Sequence, residues 1–232
     1  MITFNRFAFR AIEVKELNTL ITDRIYLIGN GKSLLQTDLN ALANEKCMTV
    51  NKSAALLQMF PKFKPSFYVK IDFSPFDGGS WQDEVRPFVE SGIPCLLWDA
   101  FRTGDDGFGI QEGLGDWPNV TWVTRCKHHG EPPTSKYRAK KWHEPFCTAY
   151  NSLNIMAQWA VKLGATEIYL IGCDGKFTNG KDDHFMPYYE NVDAGYVERN
   201  NSHVRAAQEL IKANCPVPVR DMTPYGLGVF NG

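Results

Sequence analysis

The pentapeptide IYLIG occurs twice in this chain, at Ile25–Gly29 and at Ile168–Gly172. The first copy runs into Asn-Gly-Lys-Ser and the second into Cys-Asp-Gly-Lys. A short run of large apolar residues ending at glycine fits a strand buried on both faces, the pattern of parallel sheets. Parallel neighbours cannot be joined by a tight turn. They need crossover connections, so two such strands constrain the chain to βαβ units.

The rest of the sequence supplies the alternation. Lys46–Val50, Phe67–Ile71, Ile93–Trp98 and Val120–Thr124 read as strands, and LLQTDLNALAN after Ser33 and SAALLQMF read as helices. In SLNIMAQWAVKLG, Leu153, Met156, Ala157, Ala160 and Leu163 share one helical face, and Asn154, Gln158 and Lys162 mark the opposite one. Gly164 stops that helix. Ser202 is placed to cap a last helix, HVRAAQELIKA, ahead of the strand-like PVPVRDM. The expectation is an α/β fold, doubly wound on a mainly parallel, Rossmann-like sheet. It comprises a single domain over residues 1–232, with a basic loop insertion at about 125–147 and a lid at about 175–202.

The 232 residues are 44% hydrophobic, enough for a substantial core. A net charge of −1 gives no global attraction to nucleic acid or anionic membrane. No apolar run approaches the roughly 20 residues of a spanning helix. Charges interrupt the apolar amino-terminal MITFNRFAFRAIEVKEL, which makes it a poor secretory signal. The six cysteines, at 47, 95, 126, 147, 173 and 215, form no CxxC pair. They read as reduced thiols of a cytoplasmic protein.

The first loop fails both standard phosphate motifs. In GxxxxGK[ST] the leading glycine would fall on Tyr26, and in GxGxxG the third glycine falls on Leu34. The physical content survives: a strand ends in Gly-Asn-Gly and a helix starts at once. Backbone N–H groups and a helix amino terminus are therefore expected to face a ligand there, with Lys32 adding positive charge. Gly29, Asn30, Gly31, Lys32 and Ser33 are the candidate binding loop, at the sheet edge where α/β folds hold ligands. Asp174 and Asp72 end strands at that same edge, where a carboxylate suits a ribose hydroxyl. His184 and His203 are the candidate bases, because imidazole titrates near neutral pH. No D-x-D pair occurs, and Asp105-Asp106 and Asp182-Asp183 are adjacent pairs of the kind found in solvated turns. Neither a metal nor a tightly bound cofactor is expected. Between Arg125 and Pro145 nine basic residues, counting histidines, surround Tyr137 and Trp142. The segment reads either as a solvated loop or as a grip on the phosphates of a charged acceptor.

GNGKSL, followed by TDLNAL and TVNKS, resembles the GNGPSL…DL…L…N pattern of bacterial sialyltransferases that modify lipooligosaccharide. SLNIMAQWAVKLGATEIYLIGCD resembles their small-residue helix, LG turn and EIYLxGxD strand. YVKIDFSP and GCDGKFTNGK are similar to segments of a wider family of motility-associated glycosyltransferases and archaeal hydroxymethylpterin diphosphokinase-like proteins. The likeness covers about residues 25–75 and 148–230. It implies that Asn30 and Ser33 touch the phosphate or ribose of a nucleotide, and that Asn51 touches the nucleotide or its leaving-group side. Ser152 would meet the base, phosphate or sugar carboxylate, and Asp174 the ribose or donor sugar. Two tyrosines steady the leaving phosphate in the sialyltransferases; here that role would pass to Tyr188, Tyr189 or Lys176. His203 is the nearest counterpart of their catalytic histidine.

The functional expectation is a glycosyltransferase using a nucleotide-activated sugar without a metal, CMP-sugar favoured. Its acceptor would be a hydroxyl on a glycan or on a modified DNA base, as in phage enzymes that glycosylate hydroxymethylated bases. The alternatives are an ATP-dependent hydroxymethylpterin diphosphokinase-like enzyme, with Asp72 and Asp174 holding Mg²⁺, and a non-catalytic nucleotide-binding module.

Overall fold

The computed structural model describes residues 23–71, 81–98, 117–123, 151–178, 183–185, 194–224 and 229–230. The basic insertion, Asp72, Tyr188, Tyr189 and much of the expected lid lie outside these residues. The strands are β1 (Arg24–Ile28), β2 (Cys47–Val50), β3 (Phe67–Lys70), β4 (Cys95–Trp98), β5 (Val120–Val123), β6 (Glu167–Ile171) and β7 (Val219–Asp221). They form one seven-stranded sheet in the order β5-β4-β3-β2-β1-β6-β7, with every pairing parallel. The fold is a doubly wound, Rossmann-like α/β sheet.

The repeated pentapeptide sits at its centre. The two copies are hydrogen-bonded neighbours in register, Ile25 beside Ile168, Tyr26 beside Tyr169, Leu27 beside Leu170 and Ile28 beside Ile171. Alternation then sends like residues to like faces. Ile25, Leu27, Ile168 and Leu170 enter one core layer, beneath α3 (Ser152–Lys162) and Ile211 of α4 (Ala194–Asn214). Ile28 and Ile171 enter the layer on the opposite face, with Leu34, Leu39, Leu56 of α1 (Ala54–Met59) and Phe63. Tyr26 and Tyr169 stack with ring centroids 5.1 Å apart. The outer strand ends carry ion pairs: Arg24 with Glu45 at 2.7 Å, and Arg220 with Glu167 at 2.5 Å.

A third apolar layer, containing Tyr68, Val85, Phe88 and Leu97, joins α2 (Trp81–Glu90) to β3 and β4. Next to it Lys70 and Glu84 form a buried ion pair at 2.9 Å, with side chains 3% and 9% exposed.

Three helical expectations are corrected. LLQTDLNALAN does not form one α-helix; it forms two 3-10 turns, Lys32–Gln36 and Leu39–Leu42. Thr37 between them is extended, and the Asp38 carboxylate accepts from the Asn40 N–H to start the second turn. The last helix begins at Ala194 and not at His203 behind a Ser202 cap, because Tyr196 and Asn200 extend upstream the face that Val204 and Gln208 occupy. Asn154 and Gln158 of α3 are not on a solvent face: each is 1% exposed, and Gln158 Nε2 donates to the Asn154 carbonyl. α3 is enclosed by the sheet and α4, which forces its polar side chains to find partners inside.

Cys47, Cys95 and Cys173 are buried free thiols, and Cys215 is a partly buried one. Among the described residues no helix is long and apolar enough to cross a membrane.

Candidate functional site

The strand order fixes where a ligand can enter. From β1 the chain steps outward through β2, β3, β4 and β5, then returns to place β6 on the other side of β1. Loops leaving β1 and β6 therefore diverge, and a crevice opens above their carboxyl ends. It is a cleft of about 200 Å³. Asn30, Asn51 and Asp174 line it from the strand ends, Asn151 and Ser152 from the start of α3, and His184 from the segment beyond β6. Tyr196, Asn200, Val204 and Gln208, four residues apart along α4, form its far wall.

The two loops at the strand ends are bound to each other. The Gly29 N–H donates to the Ile171 carbonyl and the Gly31 N–H to the Gly172 carbonyl, both at 2.8 Å. The Ser33 N–H donates to Asp174 Oδ2 at 2.9 Å, and the Ser33 hydroxyl donates to Asp174 Oδ1. This corrects the expectation that the N–H groups of the first loop and the start of its helix face a ligand. The Asp174 carboxylate already occupies the amino end of the Lys32–Gln36 turn, where a bound anion would sit. Glycine is needed for the approach: a Cβ on Gly31 would lie 2.5 Å from Asp174 Cγ. Gly172 takes φ +66°, and a Cβ there would lie 2.6 Å from Leu34 Cδ2. Lys32 is exposed and lies outside the cleft lining.

The amino terminus of α3 also opens on the cleft. Asn151 caps it, accepting the Leu153 N–H at 2.8 Å, and Ser152 opens the helix at the cleft. Asn151 already takes the Leu153 and Asn154 N–H groups, so what this end offers an anion is the Ser152 hydroxyl at the positive end of the helix dipole. Asn51 faces Ser152, with Nδ2 3.5 Å from Oγ. Asn51 has φ 53°, the single non-glycine residue in the left-handed region among those described. Its backbone is held there by the Tyr68 hydroxyl and the Ser53 N–H, which both donate to the Asn51 carbonyl, at 2.9 and 2.8 Å. Asparagine is among the few non-glycine residues that adopt this conformation readily.

His184 is tied to the first loop by an isolated bridge to Gly31 and by Nδ1, 3.3 Å from the Asn30 carbonyl. A carbonyl oxygen only accepts, so Nδ1 carries the proton and Nε2 is the basic nitrogen. Burial lowers the His184 pKa, partly opposed by the Asn30 carbonyl and by Asp183 and Asp174, so the ring is neutral at pH 7. Phe177 meets the ring edge-on at 5.6 Å. Phe177 is itself fixed to α4 by Asn201, which accepts its N–H at 2.7 Å and donates to its carbonyl at 2.8 Å.

Of the residues expected at the site, Asn30, Asn51, Ser152, Asp174 and His184 are brought together. Lys32 and His203 are not; His203 stands one residue off the α4 face that lines the cleft. Asp72, Tyr188 and Tyr189 lie outside the described residues. Sequence reasoning missed Asn151, Phe177 and the α4 wall. The wall had a signal, since Tyr196, Asn200, Val204 and Gln208 recur at helical spacing. No protein-family model and no curated protein matches the chain.

Proposed function

We propose that the chain is a nucleotide-dependent glycosyltransferase, with CMP-sugar as the favoured donor and a hydroxyl acceptor. The observation that carries this reading is the meeting, at the switch point of the sheet, of the amino terminus of α3 with Asn30, Asn51, Asp174 and His184. Three of these groups each answer a requirement of glycosyl transfer. The phosphate of the nucleotide would take the Ser152 hydroxyl at the positive end of the α3 dipole. His184 Nε2, neutral at working pH, would accept the proton of the acceptor hydroxyl. The acceptor oxygen then bonds to the anomeric carbon, the bond from that carbon to the phosphate oxygen breaks, and the electron pair leaves with the nucleotide. Asp174 would accept from a hydroxyl of the ribose or sugar. The resemblance of GNGKSL, TVNKS and EIYLIGCD to the sialyltransferase segments supports the same assignment.

Thermal-shift measurements with CMP, UDP, GDP and ATP, each with and without Mg²⁺, test it. The expected result is stabilisation by CMP that does not require Mg²⁺. Stabilisation by ATP and Mg²⁺ alone would replace this reading with a diphosphokinase-like one.

A further inference from the structure

Two amide side chains in the cleft share an arrangement that the reading above does not use. Gln208 is 0% exposed, and its Nε2 donates to the Cys173 carbonyl at 3.2 Å, leaving Oε1 buried with no hydrogen-bond partner. Asn30 donates from Nδ2 to the Val50 carbonyl at 3.0 Å, leaving Oδ1 in the same condition. Neither amide can turn over without setting its oxygen against a backbone carbonyl, so both orientations are fixed. A buried acceptor left without a donor is destabilising, and two in one cleft call for a ligand that presents two donors. A phosphate presents none.

The surroundings separate the two. Asn30 lies among Asn51, Ser152 and Asp174, a polar neighbourhood suited to ribose hydroxyls. Gln208 shares its helix face with Val204 and Tyr196, and Phe177 lines the same cleft; together they offer apolar and aromatic surface to the flat face of a base.

We propose that Gln208 is the specificity-determining residue of the cleft, an orientated acceptor that selects a nucleotide whose base carries an exocyclic amine over its keto counterpart. A keto oxygen at that position would face Gln208 Oε1, acceptor against acceptor, where an amine would donate to it. This rests on the nucleotide-binding reading and sharpens it to amino-bearing bases, cytosine or adenine.

Isothermal titration of the full chain with two matched pairs, CMP against UMP and AMP against IMP, tests it. At least one amino-bearing member should bind about tenfold or more tightly than its keto partner. Gln208→Met, checked for an unchanged circular dichroism spectrum, should bring that pair to within about twofold. Equal binding within both pairs by the wild-type chain overturns the role of Gln208 without any variant and leaves nucleotide binding standing. So does discrimination that survives in Gln208→Met. Binding of none of the four overturns the nucleotide reading, and this inference with it.

Discussion

Asp174 holds Ser33 by both its backbone N–H and its hydroxyl, across 141 residues of sequence. The carboxylate thus caps a turn to which it does not belong, and it joins the loops of two neighbouring strands. Asp174→Ala would leave the Ser33 N–H and hydroxyl unpaired beside the core, and should lower unfolding free energy by about 1–3 kcal/mol. Gly31→Ala should cost a similar amount by pushing the carboxylate away. Urea denaturation of both variants and of the double variant measures this. A double variant as destabilised as the sum of the singles would show that the two residues do not act together.

Stability should fall as pH drops below about 6.5. The folded-state pKa values of His184 and His203 are both lowered, chiefly by burial. The unfolded chain therefore takes up protons at a pH where the folded chain does not. The stabilisation is full above the ordinary histidine pKa and is lost as pH falls through it towards the folded-state values. Urea midpoints at pH 7.5 and 5.5 should differ in wild type, and by less in His184→Gln. An identical pH dependence in that variant would remove His184 from the account.

Asn51 should show stability and binding moving apart. Glycine relieves left-handed strain, so Asn51→Gly should be neutral or stabilising by up to about 1 kcal/mol. Losing the amide that faces Ser152 should weaken binding of the proposed nucleotide about tenfold. Thermal melts read the first effect and titration the second. Lower stability with unchanged binding would make Asn51 a structural residue only.

The Lys70–Glu84 pair should stabilise only as a pair. Lys70→Met should cost about 3 kcal/mol, because a buried carboxylate loses its cation. Lys70→Met combined with Glu84→Leu should recover much of that loss. A double variant less stable than Lys70→Met would argue against the pairing as the main restraint on α2.

Much of the fold was legible in the sequence because buried parallel strands are written as unbroken apolar runs. Ile25–Ile28 and Ile168–Ile171 needed no partner to be recognised. The helices were harder. Asp38 interrupts what hydrophobic spacing alone reads as one helix after Ser33, since its side chain competes for a backbone N–H. Pro87 and its polar neighbours conceal α2. Asn154 and Gln158 mark a polar face that α4 covers, and no local pattern shows what will pack against it. At the site, Asn30, Asn51, Ser152 and Asp174 follow strands or open a helix, positions that sequence locates. That Asp174 would turn to Ser33 depends on the spacing of two neighbouring strands, which sequence does not state. Gln208 looks like one more polar residue of an amphipathic helix until that helix is docked.

The in-register pairing of the two IYLIG copies also bears on how the sheet assembles. Interiors that are identical are interchangeable: on hydrophobic grounds either copy can fill either central slot. The ends carry the address. Arg24 meets Glu45 on the β2 side, and Glu167 meets Arg220 on the β7 side. Exchanging the strands would bring Glu167 to Glu45 and Arg24 to Arg220, like charge against like. Each exposed pair is worth at most about 1 kcal/mol to the finished fold, but the sign of the charge differs between the right and the wrong arrangement. A chain with Arg24→Glu and Glu167→Arg should give less native protein on refolding from urea, and an unchanged yield would mean that these charges carry no such address.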